Sequence, residues 1–380
     1  MPRPPRADPT PRATILDRMS ATLLFLVGLA ALVLGANLLV RGASKLAIGV
    51  GISPLVVGLT VVAFGTSSPE LAVSVQGALS GRSDVAIGNV VGSNILNVLF
   101  ILGLCAAIVP LAVDSQILRQ ELPVMLGASL LLVLLTLDGG LQRGEAAALF
   151  AALIAYTVFL VVQSRRSHGQ RIDREFEQEL APAPTPTWDD RLAVQLGLIA
   201  AGLALLVFGS EWLVSAAVSF ARTMGVSDLV IGLTVVAAGT STPEVAASLM
   251  ALYKGERDIA VGNVVGSNVF NILGVLGAAG VVAPAGLTIP PSVIAFDLPA
   301  MVMVAVACLP VFLSGRQIGR WEGWLFLGYY AAYTAWLILD AQGHDALAGY
   351  RAVMLTVVLP LTAVTLAVLA WKSQGGRAAG

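Results

Sequence analysis

The sequence predicts an all-α polytopic membrane protein: two inverted-topology five-helix repeats forming a ten-helix core, plus one extra C-terminal transmembrane helix. Three observations predict it. Of the 380 residues, 57% are hydrophobic and only 12% charged, a balance that suits lipid rather than water. The block from Gly58 to Gly103 recurs from Gly232 to Gly277 at a constant offset of 174, with 27 of 46 aligned positions identical, so it is an internal duplication. Each copy belongs to a set of five apolar segments, and an odd number of crossings makes the second copy enter the membrane from the opposite face.

In chain order, residues 1–18 are rich in Pro and Arg and read as a disordered tail, with Met19 as an alternative start. Residues 19–163 form the first repeat half. Its first helix, about 20–40, follows a charged tail as a signal peptide would, but it is long enough to span, lacks a small-residue cleavage site and has a counterpart. Gly35, Leu39, Val40, Ala43, Ala47, Gly51 and Ser53 match Gly209, Leu213, Val214, Ala217, Ala221, Gly225 and Ser227 at the same offset. The second apolar run, Ser53 to Leu79, is interrupted in its middle; the third, about 84–109, carries polar residues on one face; the fourth and fifth, about 122–137 and 145–163, read as scaffold.

Residues 164–190 form the one substantial hydrophilic loop, helical at Asp173 to Leu180 and Pro-rich after it, a solvated connector too short to be a domain. Residues 191–340 repeat the plan, with helices at about 192–216, 227–253, 258–283, 292–313 and 323–339, and 341–380 hold the additional helix, Leu347 to Trp371, and a tail. Glu121-Leu-Pro and Asp297-Leu-Pro read as helix N-terminal caps. Lys and Arg concentrate on the face of the 164–190 loop, Arg41, Lys45, Arg165, Arg166, Lys254 and Arg257 among them, which makes that loop cytoplasmic and the chain a multi-pass protein of the plasma (inner) membrane; the arginines of the tail are discordant. Cys105 and Cys308 are isolated and apolar in setting, and His168 and His344 lie far apart, so zinc chemistry is excluded.

The functional signal is Gly65-Thr66-Ser67-Ser68-Pro69-Glu70, repeated as Gly239-Thr240-Ser241-Thr242-Pro243-Glu244. About 20 apolar residues span the roughly 30 Å hydrocarbon core, so both glutamates fall near its midplane, where a carboxylate costs about 2.5–3.5 kcal/mol on insertion scales. Pro69 removes a helical hydrogen bond and Ser68 is pushed out of helical geometry, so the helix breaks. Carbonyls from about Ala63 to Ser67 are expected to lose their donors, with Ser68 as N-cap, Pro69 at the first helical position and Glu70 in the first turn of a new half-helix. The third segment adds Asn89, Ser93 and Asn97 on one face, repeated as Asn263, Ser267 and Asn271, either as helix-to-helix glue or as further ligands. An all-oxygen set of this kind suits hard cations such as Ca2+ and Na+.

GLTVVAFGTSSPELAVS with DVAIGNVVGSNILN, and GLTVVAAGTSTPEVAAS with DIAVGNVVGSNVFN, resemble the paired repeats of the cation/calcium exchanger superfamily, nearest to prokaryotic sodium/calcium exchangers. The resemblance implies electrogenic exchange of more than one Na+ for one Ca2+ by alternating access. It implies metal ligands at Ala63, Thr66, Ser67, Glu70, Ser93 and Asn97 in the first repeat and at Ala237, Thr240, Ser241, Glu244, Ser267 and Asn271 in the second. Asn271 stands where some relatives carry Asp, which leaves the cage less anionic and argues against K+ cotransport. Transported ions, not cofactors, are implied, with the lipid bilayer as surroundings, no nucleic acid as partner, and the oligomeric state left open. The alternative is a Ca2+/H+ antiporter of the same superfamily. An intramembrane enzyme is disfavoured because neither patch has a nearby His or Lys to act as base.

Overall fold

The computed structural model describes residues 11–175, 188–224, 231, 237–313, 315–358, 360–362 and 364–365. Among them seven helices are long and apolar enough to cross a membrane, and a pair bent by 47°, Pro54–Thr66 with Ser68–Leu79, adds an eighth crossing. The protein is a multi-pass helical membrane protein. The first part of the expected seventh segment, 227–230 and 232–236, lies outside the described residues, as does the last part of the expected eleventh, 366–371.

Helix α1 is Pro11–Val50, so it begins inside the stretch expected to be a disordered tail; Pro11 suits a first helical turn, where its missing N–H is not needed. The second crossing comprises α2 (Pro54–Val57), a π-helical turn (Gly58–Val62), α3 (Ala63–Thr66) and α4 (Ser68–Leu79). The third comprises α5 (Ser83–Leu96), a π-helical turn (Asn97–Leu102) and α6 (Gly103–Ile108). A π-helical turn (Ile117–Glu121) leads into α7 (Leu122–Leu135), and α8 is Arg143–Glu175, which continues past the membrane into the expected loop. The second half has α9 (Leu192–Thr223), α10 (Ala237–Gly239), α11 (Thr242–Tyr253), α12 (Arg257–Phe270), a π-helical turn (Asn271–Leu276), α13 (Gly277–Val282), α14 (Leu298–Leu313) and α15 (Arg320–Ala341). Helix α16 (Ala346–Val353) follows.

Equivalent helices of the two copies run in opposite senses. Along α1 and α9, Gly28 meets Gly209, Gly35 meets Gly202 and Gly42 meets Gln195, so one number rises as the other falls. The glycines are needed for this approach: a Cβ on Gly35 would stand 2.8 Å from the carbonyl oxygen of Gly202, and small residues of this kind let membrane helices pack backbone to backbone. Two short antiparallel ladders repeat the relation. β1 (Leu111–Ala112) pairs with β4 (Gln317–Ile318), and β2 (Gly140–Leu141) pairs with β3 (Leu287–Thr288). Because α7 separates β1 from β2, the two ladders lie at opposite ends of it, each stitching one half to the other.

The crossings Ser83–Ile108 and Arg257–Val282 form the centre, 72% and 89% buried, against 17% for Arg143–Arg166 at the periphery. A further tie lies at the end of the connector. Trp188–Asp190 forms a 3-10 turn whose Asp189 is buried and paired with Arg41 at 2.7 Å, while Asp190 holds Lys45 at 2.8 Å and Trp188 lies under the Arg41 guanidinium at 4.7 Å. Those charges are a docking point on α1 rather than part of a solvated linker, because Arg41 and Lys45 lie one helical turn apart and face the same acidic pair.

Candidate ion-binding site

The break in the second crossing is confined to Ser67, with φ −81° and ψ 12°, and Glu70 lies in the first turn of α4 as expected. The cap itself is Ser67, not Ser68: the Ser68 hydroxyl donates back to the Phe64 carbonyl at 3.2 Å. Fewer carbonyls are freed than expected, since the Ala63 oxygen accepts the Ser67 N–H at 3.0 Å and the Ser67 oxygen accepts the Leu71 N–H at 3.1 Å. A single-residue break costs the helix little more than the bond that Pro69 removes. The second copy behaves alike, with Ser241 as cap, Pro243 in the first turn and Glu244 beside it.

Neither Ser67 nor Ser241 caps its own helix with its side chain. Each reaches across to the other copy instead: the Ser67 hydroxyl donates to Glu244 Oε1 at 2.9 Å, and the Ser241 hydroxyl donates to Glu70 Oε1 at 2.9 Å. Ser93 also donates to Glu70 Oε1, at 3.4 Å, and its hydroxyl lies 3.0 Å from that of Ser241. Thr66 donates to Asn263 Oδ1 at 3.1 Å, and Thr240 to Asn89 Oδ1 at 3.3 Å. Asn89 in turn donates to the Glu70 carbonyl at 3.1 Å and to Ser74, while Asn263 does the same to the Glu244 carbonyl at 3.3 Å and to Ser248. Asn97 and Asn271, at the head of their π-helical turns, donate to Asn268 Oδ1 at 3.0 Å and to Asn94 Oδ1 at 3.1 Å. Single π turns inside α-helices occur frequently at functional sites.

Glu70, Glu244, Thr66, Ser67, Ser241, Ser93, Asn97, Ser267 and Asn271 are all buried, Thr240 is half-buried, and Ala63 and Ala237 lie one turn before the two breaks. The site is joined across the copies in three hydrogen-bonded sets, one around Glu70, one around Glu244 and one of Asn94, Asn97, Asn268 and Asn271, while Ser267 stands outside all three. Five of the site's buried oxygens have no hydrogen-bond partner: Glu70 Oε2, Glu244 Oε2, Asn97 Oδ1, Asn271 Oδ1 and Ser267 Oγ. Leaving a buried acceptor unmet costs about 1–3 kcal/mol, more for a charged one, so these open oxygens call for a positive partner. Two carboxylates with amide and hydroxyl oxygens form a hard-cation donor set. Among the described residues no group of three or more His, Cys, Asp or Glu side chains is placed to hold a metal ion, so a cation here would rely on hydroxyl and amide oxygens beside the two carboxylates.

Sequence reasoning missed the pair Asn94 and Asn268, whose only signal was their place in both copies of the duplicated GSN motif. It also placed Glu121 and Asp297 as caps. Glu121 makes no side-chain cap bond at the head of α7; it is held by Gln116 at 2.8 Å, by Gln120 at 2.9 Å and by Tyr156. Asp297 accepts from Tyr333 at 3.1 Å. Both carboxylates are the last residues of π-helical turns, Ile117–Glu121 and Val293–Asp297, and both bond to a tyrosine of another helix.

Comparison with known proteins places the chain among cation exchangers. The family described as sodium/calcium exchanger protein matches residues 20–162 and 194–339. The putative antiporter CaxA of Alkalimonas amylolytica is 41% identical over 252 residues, 65% of this chain and 76% of that protein. The sodium/calcium exchanger MaX1 of Methanosarcina acetivorans is 33% identical over 277 residues, 65% and 78% of the two chains. Structures of the sodium-calcium exchanger NCX_Mj, soaked with Na+ and Sr2+, superpose with a TM-score of 0.70 at 29% identity, covering 83% of this chain and 98% of that one.

Proposed function

Because the chain belongs to the sodium/calcium exchanger family and is an antiporter of that superfamily, we propose that it exchanges Na+ for Ca2+ by alternating access at the buried oxygen cage. The observation that carries this reading is the set of five unpartnered buried oxygens, two of them carboxylate, drawn from both copies. Glu70 and Glu244 would share one Ca2+, their two charges balancing the ion. Ala63, Thr66, Ser67, Ser93 and Asn97, with Ala237, Thr240, Ser241, Ser267 and Asn271, would complete its shell or divide into sites for Na+. Competition of the two ions for one set of oxygens makes their movements obligatorily opposed.

Two inverted five-helix halves supply the rocking element, and the antiparallel run of α1 against α9 and the crossed strand ladders support that arrangement. The Lys and Arg distribution supports a cytoplasmic 164–190 loop in the plasma (inner) membrane. A Ca2+/H+ antiporter is the second reading, since the free oxygen on each buried glutamate could take a proton. Ca2+ uptake into vesicles of the purified protein separates the two. A Na+ gradient at constant pH is expected to drive uptake and a pH gradient without Na+ is not; uptake on the pH gradient alone reverses the assignment.

A further inference from the structure

We propose that Asn94 and Asn268 are positioning residues that hold the amide oxygens of Asn271 and Asn97 toward the transported cation; this rests on the cage being the transport site. A backbone carbonyl can only accept, so its neighbours dictate which way an amide turns. Asn94 Nδ2 faces the Asn268 carbonyl at 3.3 Å and Met301 Sδ at 3.6 Å, both acceptors. Asn94 Oδ1 must then face the other way, where it takes the bond from Asn271 Nδ2 at 3.1 Å. That bond uses the donor end of Asn271 and leaves its Oδ1 as one of the unpartnered oxygens.

The same chain runs in mirror image. Asn268 Nδ2 faces the Asn94 carbonyl at 3.4 Å and Met125 Sδ at 3.5 Å, Asn97 Nδ2 donates to Asn268 Oδ1 at 3.0 Å, and Asn97 Oδ1 is unpartnered. None of the four asparagines is more than 3% exposed, so water does not compete for these groups. Turning any one amide over would set oxygen against carbonyl oxygen, and a reversed Asn97 or Asn271 would aim an NH2 group at the cation. Each half therefore orients a ligand of the other half: Asn94, on α5, sets Asn271, and Asn268, on α12, sets Asn97.

Ca2+ uptake by the full-length protein in proteoliposomes under a Na+ gradient tests this. Asn94→Leu is expected to raise the half-saturating Ca2+ concentration by about tenfold, the usual scale for losing the group that orients a metal ligand, while the maximal rate changes little. Asn94→Asp, which offers Asn271 an acceptor and, while protonated, gives the Asn268 carbonyl a donor, recovers most of the loss at low pH. Adding Asn94→Leu to Asn271→Ala shifts half-saturation no further, because the amide it acted through is gone. A parental half-saturation in Asn94→Leu, or an additive loss in the double variant, overturns the proposal. Should Asn94→Leu not fold, Asn94→Ser, too short to reach Asn271, takes its place: a raised half-saturation supports the proposal and a parental one overturns it. Parental flux in Glu70→Gln would overturn the transport-site reading and this inference together, whereas loss of flux there with parental half-saturation in Asn94→Leu overturns the inference alone.

Discussion

The protein buries glutamates in two kinds of place. Glu121, at the head of α7, is as fully enclosed as Glu70 and Glu244, yet both its oxygens are used, by Gln116, Gln120 and Tyr156. The pair at the helix breaks is equally buried, among hydroxyl and amide groups, yet each member keeps one oxygen unmet. Burial of a carboxylate therefore does not mark a binding site. The mark is an acceptor that the surrounding chain leaves open at a cost the fold would otherwise avoid.

The sharpest way to break that contrast is to neutralise each kind in turn. Glu70→Ala or Glu244→Ala is expected to abolish Ca2+ transport, because one carboxylate with hydroxyl and amide oxygens cannot balance the charge or replace the hydration of a divalent ion. The folded protein should survive, since each change also removes an unmet buried acceptor. Glu121→Gln is expected to keep transport and lose only about 1 kcal/mol of stability, because the amide oxygen still serves Gln116 and Gln120 and the Tyr156 hydroxyl can turn to accept from the new NH2, leaving neutral bonds where charged ones stood. Flux assays and detergent melting on the three variants check both halves; transport lost in Glu121→Gln with the fold intact would erase the distinction.

The breaks themselves are legible in the sequence for a physical reason. Pro69 and Pro243 act on the residues beside them, and a glutamate in the middle of an apolar run is conspicuous wherever the chain goes. The single constant offset of 174 makes the second copy a check on the first. What is not legible depends on which residues meet after packing. Asn94 and Asn268 touch across that same interval of 174, and nothing local to either says that its amide will be spent on the other. The Arg41–Asp189 pair joins residues 148 apart, so the connector reads as solvated until α1 is placed beside it. The π-helical turns after Asn97 and Asn271 have no signature of their own, nor do the matching turns that end at Glu121 and Asp297, two apparent caps that bond instead to tyrosines of another helix.

A smaller change sharpens the comparison from the other side, by adding a carboxylate to the cage. Asn271 donates to Asn94 Oδ1, and an ionised carboxylate has no hydrogen to donate, so Asn271→Asp sets acceptor against acceptor unless it holds a proton. At low pH the protonated side chain stands in for the amide and the variant should match the parent. As pH rises the proton leaves, the cage gains charge, and the half-saturating Ca2+ concentration should diverge from the parental curve, with greater sensitivity to K+. Coincident pH profiles for the two proteins would show that this position does not face the ions.

The smallest expected effect concerns a third buried carboxylate, one whose partners are cations. Asp189 is 2% exposed and meets Arg41 at 2.7 Å, whereas its neighbour Asp190 is 41% exposed and meets Lys45 at 2.8 Å. Breaking a fully buried ion pair costs roughly 3–5 kcal/mol, but Arg41 is itself 45% exposed and water can take over its guanidinium, so Asp189→Ala should cost only about 1–2 kcal/mol. Asp190→Ala should leave the melting temperature unchanged, because exposed pairs contribute little and salt screens them. Ca2+ flux should persist in both, since each carboxylate stands outside the cage. Were Asp189→Ala to remove transport without lowering the melting temperature, a carboxylate with its oxygens already paired would be acting as a transport group, and an unmet acceptor would no longer separate the two kinds of buried acid.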